Sequence, residues 1–145
     1  VLYSLVYKMK DFNEPIDGVV YGITASLGFA TLENIYYVYF LDDYFKVTSM
    51  ELAVVRAFSA VPAHAAFGII MGYFFMRYAY IKKQESLILA FFIPMLLHSL
   101  YNFYAITNFL ISFALVIFTW IFGIRMFLSL RKKQKKKKSE YEKKV

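Results

Sequence analysis

The chain has 145 residues, of which 60% are hydrophobic and 21% aromatic, and its mean hydropathy is +0.50. A soluble domain of this size is typically about 45–50% apolar, so the excess of apolar side chains must face something other than water. The absence of cysteine excludes disulfides, thiol nucleophiles and cysteine-based metal sites.

The net charge of +7 comes from one end of the chain. Residues 131–144 hold nine basic and two acidic residues, whereas the remainder holds eight of each sign. This distribution indicates a basic tail and not a nucleic-acid surface. The simplest interpretation is a solvated cytoplasmic anchor, with a specific lipid or RNA site as the alternative. Anionic cytoplasmic lipid attracts such a run by about 1 kcal/mol per residue, so we expect anionic lipid, and no nucleic acid, as its partner.

Four apolar stretches are each long enough to cross ~30 Å of hydrocarbon as a helix rising ~1.5 Å per residue. A chain in lipid must satisfy its own backbone hydrogen bonds, so these stretches are interpreted as helices despite their many Tyr, Phe and Val residues. The predicted fold class is all-α. It is a polytopic transmembrane helix bundle with four full membrane spans, at residues 17–40, 52–80, 86–106 and 109–130.

The segment before the first span is interpreted as the end of a preceding helix. Residues 1–9 are apolar up to Lys8, and Asn13 is the predicted N-cap of the next helix, with Pro15 in its first turn. The predicted organisation is therefore the end of a helix and a cytoplasmic turn at 1–12, a four-helix transmembrane domain at 13–130, and a basic cytoplasmic tail at 131–145.

The distribution of Lys and Arg predicts the orientation of the spans. Basic residues precede the first span, lie between the second and third, and follow the fourth, whereas the other two connections have no basic excess. Both ends are therefore expected on the cytoplasmic side of an integral membrane protein. The lysine-rich tail and aromatic-rich helices suggest a prokaryotic cell membrane.

Four polar residues interrupt the apolar spans: Glu33, His64, His98 and Asn102. A charge at mid-membrane costs at least ~2.5–3.5 kcal/mol, so such groups are kept when they pair, face water or do chemistry. Counting residues from the cytoplasmic ends puts Glu33, His64 and Asn102 at ~24 Å and His98 at ~18 Å. All four are therefore expected in one slab, where groups from three helices can meet.

Small residues share helical faces with these polar residues. Small side chains at four-residue spacing let helices approach closely, which predicts that Glu33 and His64 point into the bundle. The two faces are Gly18, Gly22, Ser26 and Ala30 on the first span and Ala60, Gly68 and Gly72 on the second. Pro62 and Pro94 precede the histidines; either they kink the helices and open space, or they are simply tolerated in a membrane helix.

The polar set suggests several kinds of chemistry. A glutamate and a histidine can activate water as general bases, or Glu33, His64 and His98 can ligate a divalent metal such as zinc. Asn102 shares a helical face with His98 and can donate a hydrogen bond to an oxyanion. The alternatives are a proton-coupled transporter or channel with Glu33, His64 and His98 as its relay, and a structural protein in which the set joins the helices.

These residues lie in motifs that resemble those of the PrsW protease family. Residues 13–18 and 27–34 match the segment with the family's Phe-x-x-x-Glu. Residues 62–68 match its mid-helix histidine, and residues 98–102 its histidine followed four residues later by Asp or Asn. The motifs occur in the family's order, and their pattern of Glu, His and Asn or Asp is similar to that of the CAAX prenyl endopeptidases.

The resemblance implies an intramembrane endopeptidase that cuts a membrane-anchored protein substrate, such as an anti-sigma factor. It also implies that Glu33, His64, His98 and Asn102 belong to the active site. The family's first motif, Glu-Glu-x-x-Lys, is expected just before Val1. If that glutamate pair supplies the catalytic base or a metal ligand, the 145 residues alone are expected to be inactive.

Overall fold

The computed structural model describes residues 5–142, except for the side chains of residues 42, 43, 136–138 and 140–142. Within these residues the chain is mostly helical, with short turns between the helices, and contains no strand. A 3-10 turn at Val6–Lys8 precedes six α-helices. They are α1 Pro15–Phe40, α2 Asp42–Phe45, α3 Ser49–Phe58, α4 Ala60–Ile81, α5 Glu85–Thr107 and α6 Phe109–Glu142.

The prediction of an all-α bundle with four spans is confirmed. Among the described residues, four helical segments are long and apolar enough to cross a membrane: Pro15–Phe40, Ser49–Ile81, Glu85–Thr107 and Phe109–Lys135. Large apolar side chains on these helices are widely exposed, which is the surface expected where helices face lipid and not water.

The first helix begins one residue later than predicted. Glu14, and not Asn13, is the N-cap of α1. The Asp17 carboxylate accepts hydrogen bonds from the backbone N–H groups of both Asn13 and Glu14, at 3.0 and 2.6 Å. Pro15 occupies the first turn as predicted, where its missing N–H costs nothing.

The predicted second span at 52–80 is two helices. Thr48 and Glu51 form a capping box that starts α3 at Ser49, and the helix is interrupted at Ser59. Pro62 explains the interruption, because it has no N–H for the Phe58 carbonyl and its ring crowds that carbonyl. The 22 residues of α4 alone still measure ~33 Å, enough for a full crossing.

The ends of the chain also differ from the predicted boundaries. The fourth helix does not stop at 130 but continues through Glu142, since the added residues include Lys, Arg and Gln, which favour helix, and no Gly or Pro. At the other end, residues 1–4 of the predicted preceding helix lie outside the described residues. Val6, in the 3-10 turn, is buried against Ile70, Phe74, Phe75 and Ala90.

Helices α1 and α4 approach each other through four glycines, which confirms the predicted close packing of these faces. A methyl group added to Gly22 would lie 2.5 Å from the Gly68 carbonyl oxygen and 2.8 Å from the Gly72 Cα atom. One added to Gly18 would lie 3.0 Å from the Gly72 carbonyl oxygen. This four-glycine contact leaves no room for a side chain on either backbone, and it fixes how α1 lies against α4.

Gly22→Ala is expected to destabilise the protein. The new methyl group meets backbone atoms that cannot rotate away, and overpacking of this kind costs about 1–3 kcal/mol. The measurement is the free energy of unfolding of the full-length protein in detergent micelles or bicelles.

Gly28→Ala is the matched control, since Gly28 lies in the same helix and a methyl group there has no atom within 4 Å. It should be neutral or stabilise the protein by up to ~1 kcal/mol, as expected from helix propensity. Equal effects of the two substitutions would contradict the four-glycine contact.

Candidate active site

The Glu33 carboxylate lies at the centre of a polar cluster built from four helices. Its Oε2 atom lies 2.9 Å from Arg56 Nη2 on α3 and 3.1 Å from His64 Nε2 on α4. Its Oε1 atom lies 3.1 Å from His98 Nε2 and 3.2 Å from Asn102 Nδ2, both on α5. The four residues selected from the sequence are thus brought together around one carboxylate, while their catalytic roles stay predictions.

Contacts between α1 and α4 determine where the Glu33 side chain lies. The Ser26 hydroxyl donates a 2.7 Å hydrogen bond to the His64 carbonyl oxygen, in a buried position above the four-glycine contact. Glu33 follows Ser26 by seven residues, about two helical turns, so it lies on the same face of α1. The glycines and Ser26 together hold the carboxylate at the level of the histidine ring.

The two imidazoles lie side by side. The ring centroids of His64 and His98 are 4.8 Å apart, and Phe29 contacts both rings, meeting His98 edge-on at 5.6 Å. Asn102 follows His98 by four residues on the same face of α5, and its Nδ2 atom is 3.3 Å from His98 Nε2. His64 is buried and His98 largely so, which keeps the rings in a mostly apolar surrounding.

Arg56 is a member of the cluster that the sequence interpretation missed. Besides its ion pair with Glu33, its Nε atom donates a 2.6 Å hydrogen bond to Asn34 Oδ1. Its guanidinium carbon also lies 3.7 Å from the centroid of the Tyr37 ring. The signal was an arginine inside an apolar stretch, which costs as much as an acid does and calls for a partner at the same depth.

The donor set fits a divalent metal. One oxygen of Glu33 and one ring nitrogen each of His64 and His98 lie within 4.8 Å of one another. Two histidines and a glutamate are the protein ligands of one class of catalytic zinc site, in which tetrahedral bonds of ~2.0–2.1 Å put ligands about 3.4 Å apart. Each imidazole nitrogen lies 3.1 Å from its nearer carboxylate oxygen, Oε2 for His64 and Oε1 for His98, which is close to that spacing.

A cavity of about 130 Å³ borders the cluster at Arg56 and Asn102 and is not lined by Phe29 or the two histidines. Arg56 and Asn102 form part of its wall, together with the hydroxyl-bearing residues Tyr37, Ser59 and Tyr101. Polar groups and space are the two requirements for internal water. The cluster therefore borders a cavity suited to water at Arg56 and Asn102, while Phe29 contacts it at the imidazoles.

Comparison with known proteins gives one family. The family model described as PrsW family intramembrane metalloprotease matches residues 1–127. A protein named Protease PrsW from Geobacillus kaustophilus (strain HTA426) is 40% identical over 104 residues, covering 70% of this chain and 43% of the relative. One of the same name from Bacillus subtilis (strain 168) is 38% identical over 131 residues, covering 86% and 57%.

A third Protease PrsW, from Clostridioides difficile (strain 630), is 35% identical over 107 residues, covering 71% of this chain and 44% of the relative. The chain thus spans about half the length of the curated relatives it matches. No solved structure matches it.

Arg56→Met is expected to destabilise the full-length protein by about 3–5 kcal/mol, because it removes one partner of a buried ion pair and leaves the other charge behind. Adding Glu33→Gln should restore part of that loss. The double-mutant cycle should give a coupling energy of about 1–3 kcal/mol between the two positions. The measurement is the free energy of unfolding in bicelles.

Arg131→Met is the matched control, since Arg131 is an exposed arginine in the basic segment that ends α6, beyond the predicted end of the fourth span. Its effect should stay within about 0.5 kcal/mol. A coupling energy near zero between positions 33 and 56 would show that the ion pair contributes nothing to the cluster.

Proposed function

The chain belongs to the PrsW family of intramembrane metalloproteases, and on that premise we propose that it carries catalytic residues for hydrolysis of a peptide bond in a membrane-anchored protein. The observation that carries the proposal is the Glu33 carboxylate, contacted within the spans by two imidazoles and an amide from two other helices. Peptide hydrolysis needs a nucleophilic water, a group that stabilises the oxyanion, and a group that gives the leaving amine its proton.

Glu33, His64 and His98 are the proposed ligands of a divalent metal, with zinc as the best chemical match. When bound, such an ion supplies Lewis-acid polarisation of the scissile carbonyl and activation of water. A metal-independent reaction is the alternative within the same site. In it, an imidazole hydrogen-bonded to Glu33 takes a proton from water and returns it to the leaving amine.

Asn102 is the proposed donor to the oxyanion. Its Nδ2 atom lies 3.2 Å from Glu33 and 3.3 Å from His98, so it adjoins the atoms where the nucleophile would form. An amide held there stabilises negative charge as it develops on the scissile carbonyl oxygen. Arg56 is a positioning residue, because it holds the Glu33 side chain from the other oxygen and ties it to Asn34.

The proposed substrate is a protein anchored in the membrane, with an anti-sigma factor as the specific candidate. The basic segment that ends α6 would lie on the cytoplasmic side and contact anionic lipid, according to the distribution of Lys and Arg. A proton relay through Glu33 and the histidines is the second hypothesis that the same cluster allows. Family membership favours hydrolysis over transport.

His98→Ala and Glu33→Gln are each expected to lower the rate of substrate cleavage by about 10³-fold or more, since both remove a group at the reacting centre. Asn102→Ala should lower kcat by about 10²–10³-fold through loss of the oxyanion donor. The assay is cleavage of a membrane-anchored substrate by the full-length protein in liposomes.

Asn108→Ala is the control for Asn102→Ala. Asn108 ends α5, and its side chain accepts a hydrogen bond only from the start of α6, at Ile111 N, among the described contacts. Its cleavage rate should match that of the unaltered protein. Undiminished cleavage by folded His98→Ala and Glu33→Gln variants would reject the proposed site.

Purified full-length protein is expected to contain one zinc ion per chain, measured by elemental mass spectrometry. His64→Ala and Glu33→Gln should lose the metal, because each removes a ligand, whereas Asn102→Ala should retain it. Full cleavage activity in protein that contains no metal, unchanged by chelators, would favour the metal-independent reaction instead.

A further inference from the structure

An apolar cavity of about 290 Å³ opens beside the two imidazoles. It lies between α1, α4 and α5, and His64 and His98 form part of its wall. Its other large lining side chains are Phe29, Phe67, Met71, Phe91 and Met95. Whatever occupies this cavity therefore touches the rings that the proposed reaction uses.

The mouth of the cavity faces the lipid. Phe29, Phe91 and Met95 are 54%, 62% and 44% exposed, although they belong to helices that cross the membrane. In a membrane-spanning bundle such side chains face acyl chains. An occupant can thus enter sideways from the bilayer, between α1 and α5, without passing through water.

Pro94 adds a backbone acceptor to the cavity wall. It lies inside α5 and has no N–H to donate to the Ala90 carbonyl one turn earlier. Both residues line the cavity. The Ala90 carbonyl therefore has no donor at the usual position one turn later, and an extended peptide passing through the cavity carries N–H groups that can donate to it.

We propose that this cavity is the substrate subsite that takes a bulky apolar side chain next to the scissile bond. This inference rests on the proposed protease function and names the substrate class: a membrane-spanning segment with Leu, Met or Phe at that position. An engineered apolar cavity of about 150 Å³ binds benzene, so 290 Å³ accommodates one such side chain with the adjoining backbone.

The cavity also has a direction relative to the cluster. Ala25 and Phe29 precede Glu33 on α1, Met71 follows His64 on α4, and Phe91 and Met95 precede His98 on α5. All these positions lie toward the basic ends of the helices. The recognised residue therefore lies on the side of the scissile bond nearer to the membrane surface that carries the basic segments.

The test uses the full-length protein in liposomes and a library of synthetic Lys-flanked apolar peptides long enough to span the bilayer. Mass spectrometry identifies the residues on both sides of each cut. We expect Leu, Met or Phe to be enriched on one side over Ala by about 10-fold or more, since each methylene in an apolar pocket changes selectivity by about 10–200-fold.

Two variants change the volume of the cavity in opposite directions. Ala25→Leu fills it and should shift the preference about 10-fold or more toward Ala, whereas Met71→Ala enlarges it and should shift the preference toward Trp. Ala114→Leu makes the same change at a lipid-exposed position of α6, and it should leave the cleavage profile unchanged. A profile identical in all four proteins would overturn the inference.

A binding measurement separates this inference from the protease proposal. Peptides carrying benzoylphenylalanine at the preferred position, or at the central position if nothing is cut, are photocrosslinked to the uncleaving Glu33→Gln variant. We expect crosslinks at Met71 or Met95, reduced at least about 5-fold by Ala25→Leu. Such crosslinks without any cleavage by the unaltered protein would reject the protease and keep the apolar subsite. Crosslinks confined to other residues, or to lipid, would show that acyl chains fill the cavity and would reject the subsite.

Discussion

The arrangement of this bundle depends on one constraint: the negative charge of the Glu33 carboxylate must be compensated by nearby polar groups. Glu33 lies within a span where an unpaired charge costs at least ~2.5–3.5 kcal/mol. A guanidinium, two imidazoles and an amide surround its two oxygens. Because these groups come from three other helices, each helix must be held at the correct depth and rotation. The packing of the bundle and the chemistry of the site are therefore one requirement.

The close approach of α1 and α4 meets that requirement for two of the helices. Backbone contact at Gly22 and Gly68 fixes the distance between the two helices. The hydrogen bond from the Ser26 hydroxyl to the His64 carbonyl fixes the position of α1 along the axis of α4. Interactions of this kind replace the hydrophobic effect, which does not operate between helices in lipid. Arg56 then joins α3 to the same carboxylate, so the helix before Ser59 is tied to the cluster by charge.

The four spans and the polar cluster were predictable from the sequence, because both follow from length, hydropathy and depth. Glu33, His64, His98 and Asn102 stand out as polar residues in apolar helices. Arg56 was missed because it follows a loop with several charged residues, and a basic residue near the end of a span is usually one that lies at the membrane–water interface.

The breaks and ends of helices were harder to predict, because the same residue type acts differently in different surroundings. Pro62 ends one helix and starts another, whereas Pro94 lies inside a continuous helix. The sequence alone does not show whether the carbonyl four residues before each proline can accept a hydrogen bond from another group. At the end of α6, the Lys run was interpreted by its charge as a tail that follows the last helix, whereas its helix propensity extends that helix.

The origin of the cluster from distant parts of the chain has a consequence for biosynthesis. His98 follows Glu33 by 65 residues. At translation rates of ~5–20 residues per second, about 3–13 s pass between synthesis of the acid and of its last imidazole partner. By the end of that interval Arg56 and His64, which follow Glu33 by 23 and 31 residues, have been made, but His98 and Asn102 have only begun to follow. Until α5 arrives, the carboxyl group must therefore be compensated by those two partners alone, be protonated, or be kept near water or the insertion machinery.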